Sequence, residues 1–545
     1  MEEIMGQVFK RTDLCGELRI GDVGREVVLN GWVARKRNLG GLVFCDMRDR
    51  SGISQIVFDD TTDKEVFEMA DTLRSEYVIG VKGVVAERES KNPKMDTGDI
   101  EIQVSSLTIY SKAETPPIYI KDDDNVDESL RLRYRYLDLR KPGMQKNLAF
   151  RHQVAQVTRQ FFSEEGFLEI ETPTLDKPTP EGARDYLIPS RVNQGRFYAL
   201  PQSPQLYKQI LMVSGCDRYF QIARCYRDED LRADRQPEFT QIDMELSFVD
   251  ADDIMEIQER YLQTLFKEVM DVELQVPFPR LTYDEAMNRF GSDKPDTRFG
   301  FELKDLSDLA QGCGFSVFEN AVADGGVVKA ICVNGAAEEF SRKKIDKLAE
   351  GVKDFGAKGL AWMKVAADGV TSPIAKFFND EQKAAILSRM EAGEGDLILF
   401  VADSWKVAVD SLGFLRRHLA DMMGLLDSRQ FNFLWVTDFP MFEYSEEEGR
   451  YVAMHHPFTM PREEDIDKLL TEPGEVKARA YDIVLNGVEA GAAASEFTTV
   501  KFRSWYSGRF IFLMKKQRKS SVSFWRHSDT ERLLTADLPM AWTDW

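Results

Sequence analysis

Short runs in which apolar and polar residues alternate fill the first 110 positions of the chain. Alternation with a period of two is typical of half-buried strands, and it predicts five of them, at 27–35, 42–48, 54–58, 77–85 and 100–104. A helical pattern at 64–75 separates the third strand from the fourth. Five strands with one helix predict an OB-fold β-barrel at 1–110.

A longer helical pattern follows a connector rich in proline and aspartate at about 114–128. Val154, Val157 and Phe161 recur at helical spacing within 147–165, so this helix should bury one face. The next apolar run ends at Pro173 and predicts a strand. Periodicity alone identifies these two segments only as a core helix and a core strand.

Two strand-like runs, at 219–223 and 239–244, frame a loop of densely alternating charge. Strands joined in this way predict a hairpin with a polar tip. Its arginines can clamp phosphate through planar guanidinium groups, and its carboxylates can orient them or hold a metal ion. These side chains are Arg227, Arg232, Arg235, Asp228, Glu229, Asp230 and Glu238. A solvated, salt-bridged hairpin is the alternative interpretation.

Residues from about 300 to 412 have the pattern of an inserted domain. Glycine-rich turns and charged loops alternate there with predicted strands at 327–333 and 359–365. The segments SPIAKFFND and DLILFVAD predict a further helix and strand. No cluster of catalytic residue types stands out in this region.

The composition is that of a globular protein of three or four domains. The 545 residues are 43% hydrophobic and 30% charged, without an apolar run of membrane length or an N-terminal signal region. Six scattered cysteines without a CxxC pair argue against a zinc ribbon and suit a reducing cytoplasm. The net charge is -21, so a nucleic-acid partner would need a local basic face.

The hairpin sequence YRDE, followed by RQPEFTQID, resembles motif 2 of class II aminoacyl-tRNA synthetases, in a wording closest to the bacterial aspartyl group. The resemblance implies an α+β multidomain fold. Its parts would be an OB-fold anticodon-binding domain (1–110), a hinge (111–140), a class II catalytic domain (141–299 and 413–491) and an inserted GAD-type domain (300–412). It also implies that the helix and strand before Pro173 are motif 1, which forms the interface of a homodimer.

An aspartate substrate requires a cation for its side chain and acceptors for its ammonium group. The segment TPEGARDYL offers Glu181, Arg184 and Asp185, and ALPQSPQLYKQ offers Gln202, Ser203, Gln205 and Lys208. Gln205 and Lys208 would share a helix face, although a solvated helix lysine is the alternative. The resemblance implies that aspartate is bound by Glu181, Gln205, Lys208, Arg227 and His455.

The resemblance also implies ATP as a substrate and Mg²⁺ as its counter-ion. Arg227 would contact the α-phosphate, with Asp228, Glu229 and Gln236 beside it. Asp482 and Glu489 lie seven positions apart and would hold Mg²⁺, with Glu489 also in the ATP site. On a helix they would share a face, on a strand–turn segment they could converge, and a pair of solvated carboxylates is the alternative. For His455 and His456, a hydrogen-bonding role is the default, because neighbours on a strand point to opposite faces.

The barrel combines basic and aromatic side chains, as proteins that bind single-stranded nucleic acid do. Arg35, Lys36, Arg37, Phe44, Arg48 and Arg50 provide this combination, and ordinary strand decoration is the alternative. The resemblance assigns anticodon contacts with tRNA(Asp) to Arg37, Phe44, Gln55 and Glu101, with Phe44 stacking on a base. Leu39 stands where some enzymes that also charge tRNA(Asn) carry histidine, which favours a discriminating enzyme.

The resemblance covers residues 5–491 and then stops. The family continues with GGS, then IRIHN, and ends with the GLDRL of motif 3, whose arginine contacts ATP; this chain reads AAASEFTTVKF and ends LPMAWTDW. The segment 492–545 carries nine basic and five acidic residues in an acidic chain, with four of its eight tryptophans. When Gly491 to Thr499 is back-translated and moved by one base, suitable codons give GGGSIRIHN, and the last residues yield GLDRL in the same phase. We infer that one base was lost just after codon 491.

The sequence therefore predicts an aspartate–tRNA ligase whose last part is out of frame. Very weak or absent adenylation and a disordered tail are expected of the chain as written, with loss of the last strand and helix of the catalytic sheet. Two alternatives remain, namely an enzyme that charges both tRNA(Asp) and tRNA(Asn), and a catalytically dead tRNA-binding protein.

Overall fold

The structure is a computed structural model. It describes residues 8–123, 125–179, 181, 183–229, 236–367, 369–445, 448–455 and 459–496, together with the backbone of 542–544. The chain divides into two compact units, residues 1–154 and 155–545. Across the part of the chain described, no helix is long and apolar enough to cross a membrane.

The first unit contains the predicted barrel. Its strands close in the order β1-β2-β3-β5-β4, and the helix α1 (Lys64–Asp71) joins β3 to β4. The prediction of an OB-fold is confirmed, although most strands are longer than the alternation indicated. Their bounds are β1 (Glu26–Asn38), β2 (Val43–Asp49), β3 (Gly52–Phe58), β4 (Val78–Glu87) and β5 (Ile100–Ser111).

Two short helices follow the barrel, namely α2 (Glu128–Arg133) and α3 (Arg135–Asp138). The long helix α4 (Pro142–Glu164) comes next and begins with proline, whose fixed φ suits a first helical turn.

A buried carboxylate connects the segment after the barrel to the barrel itself. Glu76 accepts hydrogen bonds from Arg48 (2.8 and 2.9 Å) and from Arg140 (2.8 Å). The guanidinium of Arg140 also lies over the ring of Trp32, 4.8 Å from its centroid.

The second unit is built from further helices and many short strands. The helices are α5 (Gln205–Val213), α6 (Ala251–Met270), α7 (Tyr283–Phe290), α8 (Ser307–Ala310), α9 (Ser316–Ala323), α10 (Arg342–Gly351), α11 (Asp380–Met390) and α12 (Trp405–Met422). The strands are β6 (Leu168–Glu169), β7 (Leu187–Pro189), β8 (Phe197–Ala199), β9 (Arg218–Tyr226), β10 (Glu238–Ser247), β11 (Arg280–Thr282), β12 (Lys304–Asp305), β13 (Val327–Val333), β14 (Ala361–Ala366), β15 (Gly369–Thr371), β16 (Leu397–Asp403), β17 (Phe433–Thr437), β18 (Phe442–Ser445), β19 (Arg450–Ala453), β20 (Ala480–Leu485), β21 (Val488–Glu496) and β22 (Trp542–Asp544).

A mixed sheet carries the candidate site. Within the described residues its order is β11-β17-β20-β21-β22-β10-β9-β6, and large apolar side chains such as Phe162, Tyr261 and Trp435 pack against it. The predicted hairpin is confirmed, because β9 and β10 pair antiparallel from Glu238↔Tyr226 to Leu246↔Arg218. The strand predicted before Pro173 is wrong in length, since only Leu168–Glu169 pairs with β9.

The region from 300 to 412 has its own sheet, in the order β12-β13-β16-β14-β15. The strand predicted at 327–333 is confirmed by β13, and those at 359–365 and in DLILFVAD match β14 and β16 closely. The helix predicted in SPIAKFFND is only a 3-10 turn, at Ala375–Phe377. Helix α12 packs into the same core as β13 and β16 through Leu412 and Leu415.

The sheet does not end where the resemblance ends. Strand β21 continues through Glu496, paired with β20 from Leu485↔Val488 to Ala480↔Ala494, and β22 pairs with both β21 and β10. The expectation that the sheet loses its last strand is therefore wrong for 492–496 and for 542–544, because small residues such as Ala493 and Ala494 fit this buried strand. The predicted disorder falls on 497–541 and 545, outside the described residues.

Candidate active site and anticodon-binding surface

A buried lysine lies at the centre of the candidate amino-acid pocket. Helix α5 places Lys208 against β10, where its Nζ lies 2.8 Å from Asp243 Oδ1 and 3.7 Å from Glu245 Oε2. Gln205, three positions earlier on the same face, is also buried. The alternative that Lys208 is a solvated helix lysine is wrong, since its side chain is 3% exposed.

A third acidic group, Glu181, follows residue 179 and interacts with the charge of Lys208. The Glu181 carboxylate accepts hydrogen bonds from Thr179 Oγ1 (2.8 Å) and Ser203 Oγ (2.6 Å). Burial raises the pKa of Glu181 to about 7, against the opposing effects of these two hydroxyls and of the Lys208 charge. Glu181 is thus an acceptor whose charge changes near neutral pH.

Gln202 fixes the loop that carries Glu181. Its Oε1 accepts from the Ala183 amide at 3.0 Å, and its Nε2 donates to the Ala183 carbonyl at 2.9 Å and to Asp185 Oδ1 at 2.6 Å. Burial raises the pKa of Asp185, while the bond from Gln202 opposes this rise. The buried glutamine therefore positions the loop by pairing with its backbone.

Arg227 stands at the end of β9, where the hairpin loop begins. Its amide donates to the Pro237 carbonyl at 2.9 Å, and its guanidinium lies 5.1 Å from the centroid of the Phe239 ring. The buried Nε of Arg227 has no hydrogen-bond acceptor among the described residues. A donor held in this way is available to an anionic ligand.

Two hydrogen bonds between Asp228 and Arg184 connect the hairpin to the Glu181 loop. The Asp228 amide donates to the Arg184 carbonyl at 2.9 Å, and Arg184 Nε donates to the Asp228 carbonyl at 3.0 Å. Of the other predicted ATP-site residues, Asp228 and Gln236 are exposed and Glu229 is half-buried. Asp230, Arg232 and Arg235 lie outside the described residues.

The Cys225 thiol lies within electrostatic reach of all of these groups. Its pKa is raised to about 12, first by burial and then by the negative charge of Asp243, while Arg227 and Lys208 oppose the rise and Glu181 adds to it. A thiol acted on by all of these charges lies among them. Glu181, Lys208 and Arg227 thus act on one thiol, and their binding of aspartate stays a prediction.

Asp482 and Glu489 converge on a hairpin rather than on a helix. Asp482 lies on β20, Glu489 lies on β21, and the strand pairing shifts between Ile483 and Val484. The pKa of Asp482 is raised well above its ordinary value, first by burial and then by the charges of Glu489 and Asp293. The interpretation of a shared helix face is therefore wrong, whereas Glu489 is exposed and Asp482 is half-buried, so the alternative of a pair of solvated carboxylates stays open.

We call the region around Asp482 and Glu489 the second pocket. Two further residues of it were not predicted from the sequence. Lys294 Nζ lies 2.7 Å from Glu489 Oε2, and the neighbouring Asp293 has a pKa raised by burial. The run GSDKPDTR at 291–298, with its dense charge beside glycine and proline, was the available signal.

The second pocket can hold Mg²⁺ only with help from a ligand. Among the described residues, no group of three or more His, Cys, Asp or Glu side chains is arranged around a metal position. Mg²⁺ in nucleotide sites commonly takes one or two carboxylates, with phosphate and water completing its shell. The negative charge of Glu489 helps to raise the pKa of Asp482, which fits a site that gains from a cation.

His455 lies beside the ring of Phe439, with 5.5 Å between ring centroids in an edge-on arrangement. Phe439 in turn packs against Tyr283. A role for His455 in covering aspartate stays a prediction. His456 lies outside the described residues.

On the barrel, all four residues assigned to the anticodon contact one another in series. Arg37 lies 5.9 Å from the centroid of Phe44 and donates to Gln55 Oε1 at 3.0 Å, and Gln55 Nε2 donates to Glu101 Oε2 at 2.9 Å. Burial raises the pKa of Glu101. Arg88, which was not predicted as part of this surface, donates to the same Gln55 oxygen at 2.8 Å.

This chain of contacts forms a surface on β1, β2, β3 and β5. Phe44 is half-exposed, while Gln55 is buried and held from three sides. The buried Nη1 of Arg88 has no acceptor within the described part of the chain. An aromatic face beside fixed donors and acceptors is the arrangement that single-stranded bases require.

Comparison with known proteins agrees with the geometry. Residues 127–504 match the family of class II tRNA synthetases (D, K and N), and residues 27–110 match the OB-fold nucleic acid binding domain. The chain is 57% identical over 488 residues to an aspartate–tRNA(Asp/Asn) ligase of Caldanaerobacter subterraneus subsp. tengcongensis, covering 89% of this chain and 82% of the relative. It is 53% identical over 498 residues to an aspartate–tRNA ligase of Clostridium kluyveri, covering 91% and 84%.

Solved structures support the fold. The asparaginyl-tRNA synthetase of Pyrococcus horikoshii complexed with asparaginyl-adenylate aligns with a TM-score of 0.56 at 16% identity, over 98% of this chain and 93% of that one. An aspartyl tRNA synthetase of Entamoeba histolytica aligns with a TM-score of 0.54 at 18% identity, over 98% and 86%. The chain belongs to the class II tRNA synthetases of the aspartate, lysine and asparagine family.

Proposed function

We propose that this chain is an aspartate–tRNA ligase, which activates L-aspartate with ATP and transfers it to the 3′ end of tRNA(Asp). The observation that carries the proposal is the grouping of Glu181, Lys208 and Arg227 around Cys225. A protein that only binds tRNA has no need for a buried cation, an acceptor and a phosphate donor in one pocket. The names of relatives that share more than half of their residues with the chain support the same reaction.

Each residue of the first pocket has a role in that reaction. Ionised Glu181 accepts from the substrate ammonium, and Gln205 and Lys208 bind the side chain. The substrate α-carboxylate attacks the α-phosphorus of ATP and the bond to pyrophosphate breaks, so aspartyl-adenylate and pyrophosphate form and the protein needs no nucleophile of its own. Arg227 donates to the phosphate and to the carboxylate and stabilises the charge that develops on the phosphorus.

The second pocket is proposed to hold ATP together with Mg²⁺. Asp482 and Glu489 are the proposed ligands, and the ion would neutralise phosphate charge. Asp228, Glu229 and Gln236 line the nucleotide side of the hairpin. The Lys294 ammonium, now paired with Glu489, adds a positive charge that can move to a phosphate oxygen.

The barrel is proposed to bind the anticodon of tRNA(Asp) through Arg37, Phe44, Gln55 and Glu101, with Arg88 as a fifth contact. We also retain the proposed domain limits, namely 1–110, 111–140, 141–299 with 413–491, 300–412 and 492–545.

A homodimer is proposed from exposed apolar side chains around β6 to β8. Leu168, Leu187 and Phe197 are 57%, 54% and 56% exposed, a concentration that favours a protein interface. Light scattering on the purified chain tests it. A mass of one chain for the wild type, unchanged in Phe197→Glu, would exclude the dimer.

The polypeptide as written is expected to form very little adenylate. It lacks the motif 3 arginine, and one phosphate-binding donor commonly contributes several kcal/mol to the transition state, about 3–4 kcal/mol in measured cases. The test compares aspartate-dependent pyrophosphate exchange by this chain and by the chain with one base restored after codon 491. Activity in the restored chain alone is expected, while failure of both would overturn the proposal.

The frame-restored chain also distinguishes between the two alternative functions. Relatives named for both tRNA(Asp/Asn) and for aspartate–tRNA alone share 53–57% identity with the chain, so charging of tRNA(Asn) by the restored chain would favour the broader specificity. Tight tRNA binding without adenylate formation by the restored chain would favour a binding protein. Resequencing of the gene tests the lost base directly.

A further inference from the structure

An open cavity of about 580 Å³ lies on the barrel, outside the set of residues assigned to the anticodon. Its lining consists of three cations and four other residues, namely Lys36, Arg74, Lys112, Asp71, Thr72, Leu73 and Tyr77. Lys36 belongs to β1, Arg74 lies between α1 and β4, and Lys112 follows the last residue of β5. Segments far apart in the sequence thus bring positive charge to one place, in a chain whose net charge is -21.

Lys36 is held in position by the last residue of α1. Its Nζ donates to the Asp71 carbonyl and lies 3.5 Å from Asp71 Oδ1, which also accepts from Asn38 Nδ2 at 2.8 Å. A cation is stabilised there because the C-terminal end of a helix carries partial negative charge. An ammonium group has three donors, so Lys36 can still donate to a ligand in the cavity.

Further donors of the cavity have no partner in the part of the chain that the structure describes. The side chains of Arg74 and Lys112 are exposed and form no ion pair with any described residue. Tyr77 is only 8% exposed, yet its hydroxyl has no hydrogen-bond partner among the described residues. Because the hydroxyl of a buried tyrosine usually has a partner, this one indicates a ligand that accepts hydrogen bonds.

We propose that this cavity binds backbone phosphates of tRNA(Asp), on nucleotides next to those that the barrel reads. Guanidinium and ammonium groups form charge-assisted hydrogen bonds to phosphate oxygens, and tyrosine hydroxyls donate to them as well. The position favours RNA as the occupant, because Lys36 precedes Arg37 on β1, and Arg37 contacts Phe44, where a base is proposed to stack. The inference rests on the proposed function, since it takes tRNA(Asp) as the partner of the barrel.

Fluorescence anisotropy with the full chain and labelled tRNA(Asp), measured from about 50 to 200 mM salt, tests the proposal. Each phosphate contact adds about 0.7–0.9 to the slope of log affinity against log salt, which corresponds to about five- to eightfold in affinity at about 0.1 M salt. Arg74→Met and Lys112→Met should each weaken binding by about this factor and reduce the slope by about this amount. Tyr77→Phe should weaken binding without a change in slope, because it removes a donor and no charge.

Lys64→Met is the matched control. Lys64 carries the same charge on α1, its side chain is 88% exposed, and it does not line the cavity, so the variant should keep the wild-type slope. Calorimetric titration with inorganic pyrophosphate should detect no binding that depends on Arg74 and Lys112. Tight binding that is lost in these variants would assign the cavity to a free phosphate compound and overturn the proposal.

The affinity and the slope together decide the outcome. Folded Arg74→Met and Lys112→Met proteins, checked by thermal melting, that keep the wild-type affinity and slope overturn the proposal. An equal loss in Lys64→Met does so too, because the attraction would then come from general charge, and so does a wild-type chain that does not bind tRNA(Asp). Failure of the proposed function is seen separately, by aspartate activation in the frame-restored chain.

Discussion

Lys208 and Asp243 form a buried ion pair between α5 and β10, with 2.8 Å between Nζ and Oδ1 and 3% side-chain exposure on each side. The pair fixes the ammonium before any substrate arrives. Such preorganisation lowers the cost of ordering a binding group, but it also makes the helix and the strand depend on each other.

Replacement of Lys208 by methionine should therefore weaken the fold as well as substrate binding. It removes the cation that lies 2.8 Å from the buried Asp243 carboxylate, and breaking a buried pair in this way costs about 3–5 kcal/mol. Urea unfolding monitored by tryptophan fluorescence measures the loss. The double variant Lys208→Met with Asp243→Asn is the matched control and should recover a large part of it. Equal stability of Lys208→Met and wild type would contradict the pairing.

Glu181 should make amino-acid binding depend on pH around neutrality. Its pKa is raised to about 7 in the folded chain from an ordinary value of 4.5, so the fold favours the protonated form. Stability contributed by this group is present below pH 4.5 and is lost as pH rises towards 7. Binding of the substrate ammonium needs the ionised form, so affinity should rise with pH through about 7.

Isothermal titration calorimetry with L-aspartate, on the wild type and on Glu181→Gln at pH values on both sides of 7, checks this prediction. The variant should show weaker binding with a flat pH profile in the same interval, and it should gain stability relative to wild type as pH rises from 4.5 to 7. A variant whose affinity still rises through pH 7 would assign the transition to another group. Asp185, whose pKa is also raised, would then be the next to test.

A buried carboxylate in the core of the second unit, Glu259, allows a prediction about stability that does not depend on substrate binding. Glu259 Oε1 accepts from Trp435 Nε1 at 2.9 Å and from the Phe278 amide at 3.1 Å. Glu259→Leu removes both acceptors and should cost about 2–6 kcal/mol, because each buried donor left unpaired costs about 1–3 kcal/mol. Glu259→Gln keeps an acceptor and should cost less. Glu256→Gln, exposed on the same helix, should leave the urea midpoint in place.

The sequence predicted the elements with strict periodicity well. Alternation placed the barrel strands, and the hairpin flanks emerged as β9 and β10 because both have a buried face. The helix predicted in SPIAKFFND forms only a 3-10 turn, Ala375–Phe377, where Phe377 contacts Phe315 and the next residue, Phe378, contacts Phe318. The strand before Pro173 was overestimated, because an apolar run does not reveal how much of it has a partner strand.

For the site, residue type and motif singled out Glu181, Lys208 and Arg227 as candidates, but they did not identify the charged groups that pair with the candidate residues. Asp243 lies 35 positions from Lys208, and Lys294 lies 195 positions from Glu489, so only the folded sheet brings each pair together. The seven-residue spacing of Asp482 and Glu489 left helix and strand open. The contacts of Glu496 with α5 could not be anticipated, because the segment was expected to lie outside the sheet.

The barrel surface yields a prediction that does not depend on catalysis. Phe44→Ala should weaken binding of tRNA(Asp) by roughly 5- to 150-fold, because a base stacked on an aromatic ring contributes about 1–3 kcal/mol. Arg88→Met should weaken it too, since a charge-assisted donor to a base is lost while Gln55 keeps its bonds to Arg37 and Glu101. Fluorescence anisotropy with labelled tRNA at one fixed salt concentration measures both.

Phe9 supplies the matched control for this surface. Its ring also lies under a cation, with Lys82 Nζ 4.4 Å from the centroid. Its amide donates a hydrogen bond to the Tyr110 hydroxyl at 2.8 Å, a residue outside the Arg37–Gln55–Glu101 series. Phe9→Ala should therefore lower tRNA affinity far less than Phe44→Ala. Equal losses in the two variants would mean that the barrel attracts tRNA through general charge and aromatic content. A loss confined to Phe44 and Arg88 would instead locate the anticodon beside β2 and the end of β4.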